Sequence, residues 1–559
     1  MRRPEGDPSL SSEPPASRIS RAPLTWILSD LLPSLRRIVR VRISSRAFPF
    51  ELTVAVGAAI AAVVFTVVAG SAAEASSPAT GLLLVLVSGV GALLLAAVIL
   101  EPWVGLLAWI LAMPLLNASR LGLTIGGVLI THTTIVLAGL ALGTFLASRS
   151  GRAQLATVPR LVVLVGVASA ALALASGLHA TDSGQGVSIA LHGVVEPVIL
   201  GTLVLVLADG SAQVIALALA MAASVTIATA YNLERLLRIT FDLAIAQTDR
   251  TGFARFTYYN VGIYGDMLVM TIPLAVGLLL SWAARNGERP RRLLVLGMTV
   301  LLGLGLYLTF TKGPWLAGLT SVTGLLVVSA ASWRRRAAIM VAAALIGMLI
   351  VPYPFYAVRA VDPALGERLL SLLHTVQGGN RADSWDPETA EGEVSITERL
   401  YATSAAVEMA VDHPLLGVGP GDFASAYTTR YRPAAATRSL QSAHDFFADV
   451  AAEFGLPLAA LILGSFLAAG LAAIRLVRRA PPLSQTMALG FGAALTGFLI
   501  VGFTFGVDLY RPWRVMNSDV LFAALLLAGV GILARSERSR KVADQDSPKS
   551  HPARRDQPG

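Results

Sequence analysis

The chain has 559 residues and no cysteine, which excludes disulfides, thiol catalysis and cysteine-ligated metals. Only 14% of its residues are charged and 55% are hydrophobic, whereas a soluble domain carries roughly 25% charged residues, so the chain lacks the polar surface of a water-soluble protein. The net charge of +9 does not indicate nucleic-acid binding, because the arginines lie in short clusters between apolar blocks, where they orient a membrane protein.

The N-terminal fifty residues form a basic arm and do not resemble a cleavable signal peptide, since the first strongly apolar block begins only near Glu51. Later apolar blocks approach the ~20 residues that cross a bilayer, and such blocks form helices because lipid leaves no other partner for backbone amides. The third block is short and is expected to break at Pro114. We predict about fourteen spans, near 51–70, 80–99, 102–117, 131–147, 159–177, 187–207, 212–231, 261–283, 293–310, 313–332, 337–356, 453–474, 485–506 and 517–534.

The predicted fold class is an all-α polytopic membrane protein with one large helical extracytoplasmic loop. Its segments are a cytoplasmic basic arm (1–50), transmembrane helices 1–11 (51–356), the large loop (357–452), transmembrane helices 12–14 (453–534) and a disordered cytoplasmic tail (535–559). The loop is polar for nearly its whole length, and a polar stretch of this size in a compact protein is usually functional or disordered. Because the loop shows helix signals, we favour function.

Arginine clusters predict the orientation of the chain in the cytoplasmic membrane. They precede the first predicted span and follow the fourth, eighth, tenth, twelfth and last, so all lie on one side if both termini are cytoplasmic. The opposite short loops, 71–79 and 178–186, carry no Arg or Lys. The 232–260 loop breaks this rule with external basic residues that include Arg255, which makes it a candidate for binding an anion.

The first helix signal in the large loop is Ser395-Ile-Thr-Glu398, which fits a capping box. The predicted helix runs until His413-Pro414 stops it. Arg399 would then lie in the first turn, where free N–H groups and the positive end of the helix dipole favour anions. The alternative is that Arg399 is a solvated loop charge.

The second signal is Ser442-Ala-His444-Asp445, which opens a predicted helix through Glu453 with His444 in its first turn. The helix dipole disfavours a protonated imidazole there and would leave His444 able to act as a base, whereas the neighbouring Asp445 acts in the opposite direction. His444 could also be an ordinary polar residue of the membrane interface. The apolar face of this helix would comprise Phe446, Val450 and Phe454.

Other candidates lie near the predicted external ends of the spans. Lys312 follows the ninth span and either binds an anion or snorkels at the membrane edge. Asn260 opens the eighth span at the same level, and Arg430 and Arg432 add positive charge within the large loop.

A carboxylate is also predicted inside a span. Glu196 lies four residues after His192, and a charge at this depth is costly and functional by default. Because Glu196 precedes Pro197, a structural role at a kink is equally open.

The stretch from Arg399 through Asp412-His-Pro-Leu-Leu-Gly-Val-Gly-Pro-Gly-Asp-Phe to His444-Asp-Phe-Phe and Glu453-Phe-Gly-Leu resembles the O-antigen ligase and polymerase superfamily. The resemblance implies a polytopic helical fold with a large periplasmic loop that carries an arginine and a histidine. Two positions depart from the family's pattern. Its Ser-Arg-Gly motif is Thr-Lys312-Gly here, which keeps the charge but loses the bidentate fork, and the Asn after the histidine is Asp445.

The resemblance further implies transfer of a glycan from a polyprenyl-diphosphate carrier to a hydroxyl of a glycan, lipid or protein outside the cytoplasmic membrane. With the cations Arg399 and Lys312 no metal is required, and displacement without a covalent intermediate would invert the anomeric centre. We expect no cofactor, and contact with membrane lipid but not with nucleic acid. The alternatives are a transporter or flippase of lipid or polysaccharide, and a non-catalytic relative that binds the carrier lipid. The predicted catalytic residues are His444 and Arg399, and the predicted substrate-binding residues are Lys312, Arg255, Asn260, Arg430, Arg432 and Asp445.

Overall fold

The structure is a computed structural model that describes residues 94–118, 122–149, 157–241, 261–283, 289–309, 312–350, 391–436, 439–504 and 518–546. The described residues are mostly helical. The helices up to the large loop are α1 (Pro102–Ala118), α2 (His132–Arg149), α3 (Arg160–His179), α4 (Ser183–Leu207), α5 (Ser211–Phe241), α6 (Val261–Ala283), α7 (Arg289–Leu308), α8 (Lys312–Ser329) and α9 (Trp333–Ile350). Those from the loop onward are α10 (Glu391–Asp412), α11 (Phe423–Ala426), α12 (Phe446–Phe454), α13 (Leu456–Arg479), α14 (Pro482–Thr504) and α15 (Ser518–Asp546).

The apolar helices identify a multi-pass membrane protein. Eight described helices are long and apolar enough to cross a bilayer, namely α3, α4, α5, α6, α7, α13, α14 and α15, and two shorter apolar helices lie in α1 and α8. The described residues thus do not confirm the predicted count of about fourteen. The first predicted span and most of the second lie outside the described residues.

Several predicted boundaries move. The helix α1 continues through Pro114 and does not break there, because only the backbone N–H of the proline itself is lost and the apolar run continues on both sides. The predicted span at 453–474 begins at Leu456, after a break at Gly455. The last helix reaches Asp546 and therefore includes the first part of the tail that we expected to be disordered. An ion pair one turn apart, Lys541 Nζ to Glu537 Oε1 at 3.6 Å, stabilises this extension.

A two-stranded antiparallel hairpin interrupts the otherwise helical fold between α1 and α2. Strand β1 (Gly122–Ile125) pairs with β2 (Val128–Thr131) around a Gly126-Gly127 turn, where both glycines have positive φ. Such a turn requires this conformation at both central positions, and glycine adopts it without a steric penalty. The all-α prediction missed this hairpin.

The buried centre of the bundle contains α6, which is the most deeply buried of the eight candidate spans. It packs against α14 through Gly277 and Gly490, whose Cα atoms approach so closely that a Cβ on either would lie at most 3.3 Å from the other helix. The Gly497 position of α14 lies against Val269 of α6 and Ser321 of α8. The N-terminus of α6 and the C-terminus of α14 therefore lie at the same end of the bundle.

The opposite end is held by Arg535 of α15, which donates hydrogen bonds to the carbonyl oxygens of Thr157 and Ala208. These two acceptors precede α3 and follow α4, respectively. The arginine pattern assigns all three positions to one side of the membrane, and the structure brings them into contact.

Candidate functional site

The helix α10 carries Arg399, but not where the capping box predicted it. The helix begins at Glu391, so Ser395 lies inside it and Arg399 lies in its third turn, away from the free N–H groups of the helix start. Local sequence could not reveal this, because a Ser-x-x-Glu spacing also fits the middle of a helix. The predicted end is confirmed, since α10 stops at Asp412 before His413 and Pro414.

The buried face of α10 is lined by small side chains. Ala402, Ala406 and Met409 pack against Phe423 and Tyr427 in a separate apolar cluster. Small residues allow the facing segments to approach the helix axis closely. Arg399 lies at the edge of this face and is only partly exposed.

The helix α12 begins one residue after the predicted cap region ends. Its N-cap is Asp445, whose Oδ1 accepts hydrogen bonds from the backbone N–H groups of Phe447 and Ala448 at 3.0 Å each. Ser442 is therefore not the cap, and His444 lies just before the helix and not in its first turn. Aspartate at the cap satisfies helix donors and interacts favourably with the helix dipole. Burial nevertheless raises the pKa of Asp445, and the two backbone hydrogen bonds only partly offset this effect.

His444 adopts a left-handed backbone conformation with φ of 57°. It has positive φ alone among the described residues other than glycine. Histidine tolerates this region better than β-branched residues, but it still costs conformational energy and persists only where the surroundings impose it. Such backbone outliers cluster at active sites and ligand clamps.

The backbone of Ala443, the residue before His444, is held at both its N–H and its carbonyl oxygen. The N–H of Ala443 donates to Asp449 Oδ1 at 2.6 Å, and its carbonyl oxygen accepts from Thr403 Oγ1 at 3.1 Å. Thr403 lies one helical turn after Arg399 on the same face of α10. The structure thereby brings the His444 segment and the face of α10 that carries Arg399 together.

The glycine-rich segment that follows α10, residues 413–422, wraps around the C-terminal end of α12. Backbone hydrogen bonds join Val418 N–H to the Ala452 oxygen at 2.8 Å and Gly419 N–H to the Glu453 oxygen at 3.1 Å. Gly417 has φ of 68°, and a Cβ there would overlap the Glu453 carbonyl group. Only glycine therefore permits the two backbones to approach this closely.

The Glu453 side chain completes this wrap. Its Oε1 accepts hydrogen bonds from the N–H of Gly421 at 3.0 Å and of Phe423 at 3.4 Å, and the residue is buried. The pKa of Glu453 is raised to about 8, mainly by burial and in part by the nearby Asp422, while the two backbone donors act to lower it. Glu453 thus holds the glycine-rich segment against α12 through its side chain as well as its backbone.

The wrapped segment is fastened to the end of the bundle at α3 and α4. Ser176 of α3 donates from Oγ to the carbonyl oxygens of Leu416 at 2.7 Å and Glu453 at 3.0 Å. In the turn that follows α3, the N–H of Thr181 donates to Asp422 Oδ2 at 2.7 Å.

The N-terminal end of α12 is anchored by aromatic side chains. The Phe447 ring stacks on Phe503 of α14 with centroids 4.4 Å apart, and Phe446 meets Phe498 edge-on at 5.8 Å. The predicted apolar face of Phe446, Val450 and Phe454 is confirmed, because all three side chains are buried. Because its two ends contact the ends of different spans, α12 lies across one end of the bundle.

Lys312 begins α8, in the turn that follows α7. Its end of the bundle follows from the packing of the flanking helices. Gly305 of α7 lies against Tyr264 of α6, and Gly318 of α8 lies against Val269. Since the start of α6 points toward the end that carries His444, the start of α8, where Lys312 lies, is at that end too.

The remaining basic candidates differ in their surroundings. Arg430 Nη2 lies 2.7 Å from Asp412 Oδ2, and its guanidinium also stacks over the Tyr431 ring. Arg432 donates from Nε and Nη2 to the Ala436 carbonyl oxygen. Both contacts stabilise the loop itself. Arg255 and Asn260 lie outside the described residues.

Glu196 and His192 form a buried pair inside α4. His192 Nδ1 lies 3.0 Å from Glu196 Oε2, and His192 Nε2 lies 2.9 Å from the Leu129 carbonyl oxygen of the hairpin. Thr134 donates to Glu196 Oε1 at 2.5 Å. His192 lies within a π-helical turn, Leu191–Val195, and Glu196 directly follows that turn. The carboxylate that the sequence marked as functional or structural thus fastens α4 to α2, while His192 fastens α4 to the hairpin.

Sequence reasoning gave no role to three residues that build the site. Glu453 was noted, with Gly455, as part of a motif and as the end of a predicted helix, but without a role of its own. Asp449 was not singled out, and Ser176 lies far away in the sequence. The spacing of Asp449, one turn after the cap Asp445, was a usable signal for the first turn of a helix. Nothing local could have revealed Ser176, because its partners are more than two hundred residues away.

Comparison with known proteins supports the same family. Residues 297–463 match the family model described as O-Antigen ligase. This range includes Lys312, Arg399 and His444, but not Arg255 or Asn260. No curated protein matches the chain. The match of residues 297–463 therefore supports the O-antigen ligase and polymerase superfamily, which their motifs resemble.

Proposed function

We propose that this protein transfers a glycan from a polyprenyl-diphosphate carrier to an acceptor hydroxyl at the outer face of the cytoplasmic membrane. At the level of the family, the match supports a membrane enzyme of glycan transfer. The donor, the acceptor and the residue roles that follow are part of the proposal. Acceptors of three kinds, a glycan, a lipid or a protein hydroxyl, fit the same chemistry.

The proposed reaction is a single displacement at the anomeric carbon. His444 removes the proton of the acceptor hydroxyl while its oxygen forms the new bond to that carbon. The bond between the carbon and the diphosphate oxygen breaks, and the polyprenyl diphosphate leaves with both electrons of that bond. Attack from the opposite face inverts the configuration, and the imidazolium then releases its proton to solvent.

Cations would stabilise the negative charge that develops on the leaving diphosphate. Arg399 and Lys312 are the proposed groups, because preorganised positive charge is most effective where charge appears in the transition state. With these two cations, the proposed step requires no metal ion. Arg430 and Arg432 are less suited, since their described contacts are with Asp412 and the Ala436 carbonyl oxygen.

The observation that carries the proposal is the backbone of His444. A histidine in the left-handed region, preceded by a residue whose backbone N–H and carbonyl oxygen are both hydrogen-bonded, is a preorganised side chain at the end of the bundle. The same hydrogen bonds tie it to the face of α10 that carries Arg399. A base and a cation are the two groups that the displacement needs.

The transporter alternative rested mainly on Glu196. Its described contacts are with Thr134 of α2 and with His192 of its own helix, and His192 in turn contacts the hairpin. A carboxylate with these structural partners gives no separate support to a transport path.

The test is an in vitro transfer assay with a polyprenyl-diphosphate-linked glycan and purified variants. His444→Ala should lower turnover by about 10²–10⁴-fold, the typical contribution of general-base catalysis, with binding of the carrier nearly unchanged. His374→Ala is the control, because His374 belongs to the same predicted loop but has neither helix signal nor motif, and it should retain full turnover. Unimpaired transfer by His444→Ala would remove the general base from the mechanism.

A further inference from the structure

Two acidic side chains at the start of α12 have separate partners. Asp445 accepts hydrogen bonds from the N–H groups of Phe447 and Ala448, which belong to the helix itself. Asp449 accepts from the N–H of Ala443, which lies before the helix. The first turn of α12 is therefore capped without Asp449, and Asp449 holds the segment that precedes the helix.

In the segment before α12, a single residue, His444, lies between two residues whose backbone positions are held by hydrogen bonds. Ala443 is fixed at its N–H by Asp449 and at its carbonyl oxygen by Thr403. Asp445 is fixed as the N-cap. His444 joins these two fixed positions, and its φ of 57° is the conformation that closes the gap.

Burial makes the Asp449 contact strong. The side chain is 3% exposed, and its distance of 2.6 Å to the Ala443 nitrogen is short for a hydrogen bond from an amide. A carboxylate acceptor strengthens such a bond, and a low local dielectric strengthens it further. The start of a helix is also a favourable place for a negative charge.

We propose that Asp449 is a positioning residue for His444. By fixing the backbone N–H of Ala443 while Thr403 fixes its carbonyl oxygen, it holds His444 in its left-handed conformation and aims the imidazole at the acceptor hydroxyl. Asp449 makes no contact with substrate in this role. The inference rests on the proposed function of His444 as the base.

Position matters because proton transfer requires hydrogen-bond geometry between the base and the hydroxyl. A displacement of about 1 Å in a catalytic group can lower the rate by about 10²-fold. Asp449→Ala should therefore lower kcat by up to about 10²-fold and leave KM for the carrier within about threefold. Asp449→Asn retains an oxygen that can accept from Ala443 and should keep most of the activity.

Thr403 provides a second, milder variant, because a change at this position, unlike Asp449→Ala, does not remove a carboxyl group. Thr403→Val keeps the shape of the side chain but loses the hydroxyl that donates to the Ala443 carbonyl oxygen, and we expect kcat to fall by about tenfold. Thr403→Ser retains the donor and should restore the rate. Recovery with serine separates the hydrogen bond from a general effect of helix packing.

The decisive experiment is a double-mutant cycle in the same transfer assay, in which each variant is first checked for folding by size-exclusion chromatography. If Asp449 acts through His444, then Asp449→Ala should cost nothing further in the His444→Ala background. Additive losses in the double variant, or full kcat in both Asp449→Ala and Thr403→Val while His444→Ala is inactive, would overturn the positioning role. An active His444→Ala enzyme would instead defeat the proposed function, so the two failures are distinguishable.

Discussion

Arg399 lies one turn from Thr403 on α10, and this neighbour ties the helix to the peptide group before His444. The proposed role of Arg399 is to stabilise charge on the leaving diphosphate. We predict that Arg399→Ala lowers kcat by about 10²–10³-fold, the usual cost of removing one preorganised donor, without loss of folding. Arg399→Lys should recover part of the rate, because it keeps the charge but not the bidentate fork.

Arg334 is a matched control for that change. It is an exposed arginine near the start of α9, on the predicted cytoplasmic side, and Arg334→Ala should transfer glycan normally. Equal activity of the Arg399→Ala and unmodified enzymes would exclude Arg399 from the reaction.

Glu453 should make the stability of the glycine-rich wrap depend on pH. Because its pKa is raised from the ordinary 4.5 to about 8, the folded state binds a proton that the unfolded state has lost, so stability falls as pH rises from about 4.5 to about 8. Glu453→Gln keeps an oxygen acceptor for Gly421 and Phe423 but cannot ionise. Thermal unfolding in detergent at about pH 6 and about pH 9 should show a smaller pH-dependent decrease of Tm for this variant.

The same measurement of Tm can also contradict the predicted titration of Glu453. An identical pH dependence of Tm in Glu453→Gln and in the unmodified protein would show that Glu453 does not titrate in this range. The Glu408→Gln variant serves as a control, because it also removes one carboxylate from the loop but at an exposed position of α10.

Residue types at the site were predictable, but their contacts were not. The histidine and arginine were found because helix signals and a motif coincided on them. Both capping boxes were misplaced, because a cap depends on where the backbone leaves the helix and the same side-chain spacing occurs within helices. The proposed cause of the left-handed conformation of His444 is the pair Thr403 and Asp449, and Thr403 lies forty residues from the Ala443 oxygen that it contacts.

At the scale of elements, the hairpin β1–β2 depends on the buried pair in α4. Glu196→Leu would leave His192 and the Thr134 hydroxyl without their described carboxylate partner, and a buried polar group left unsatisfied costs ~1–3 kcal/mol. We predict a lower Tm and faster proteolysis at the hairpin for this variant.

The isosteric variant Glu196→Gln distinguishes the fastening role from a role in transport or catalysis. The amide can still accept from Thr134, so we expect near-normal stability and normal glycan transfer. A stable Glu196→Gln protein that cannot transfer glycan would show that the carboxylate has a function beyond holding the hairpin.

Long helices were the most predictable elements. The predicted span 261–283 coincides with α6, and 159–177 differs from α3 by a few residues, since a long apolar run has few other structures in lipid. The hairpin was missed although Gly126-Gly127 between short apolar runs is a known hairpin signal. Its location between two apolar blocks made a plain loop the simpler expectation.

At the scale of the whole molecule, the orientation of the chain remains a prediction from its arginines. We predict that a single cysteine at Asp386 reacts with an impermeant thiol reagent in intact cells, whereas a cysteine at Gln545 reacts only after permeabilisation. The chain has no cysteine of its own, so each signal comes from one position. Reaction of the Asp386 cysteine only after permeabilisation would reverse the predicted topology.

The structure supports the internal consistency of this orientation. Arg535 contacts the carbonyl oxygens of Thr157 and Ala208, and all three positions were assigned to the cytoplasmic side. The glycine-rich segment contacts Ser176, and the start of α12, just after His444, contacts Phe503 at the other end. Which end faces outward is the question that the labelling experiment answers.

The glycine-rich wrap is joined to α12 largely through backbone atoms, and this has a consequence for how the enzyme could diversify. Val418 and Gly419 donate from their amides to carbonyl oxygens of α12, and Leu456 donates to the Pro414 oxygen. Such bonds do not depend on side-chain identity except at glycine. The exposed Leu415 side chain is therefore free to vary, and a library randomised at this position should yield folded proteins with the backbone of the wrap unchanged.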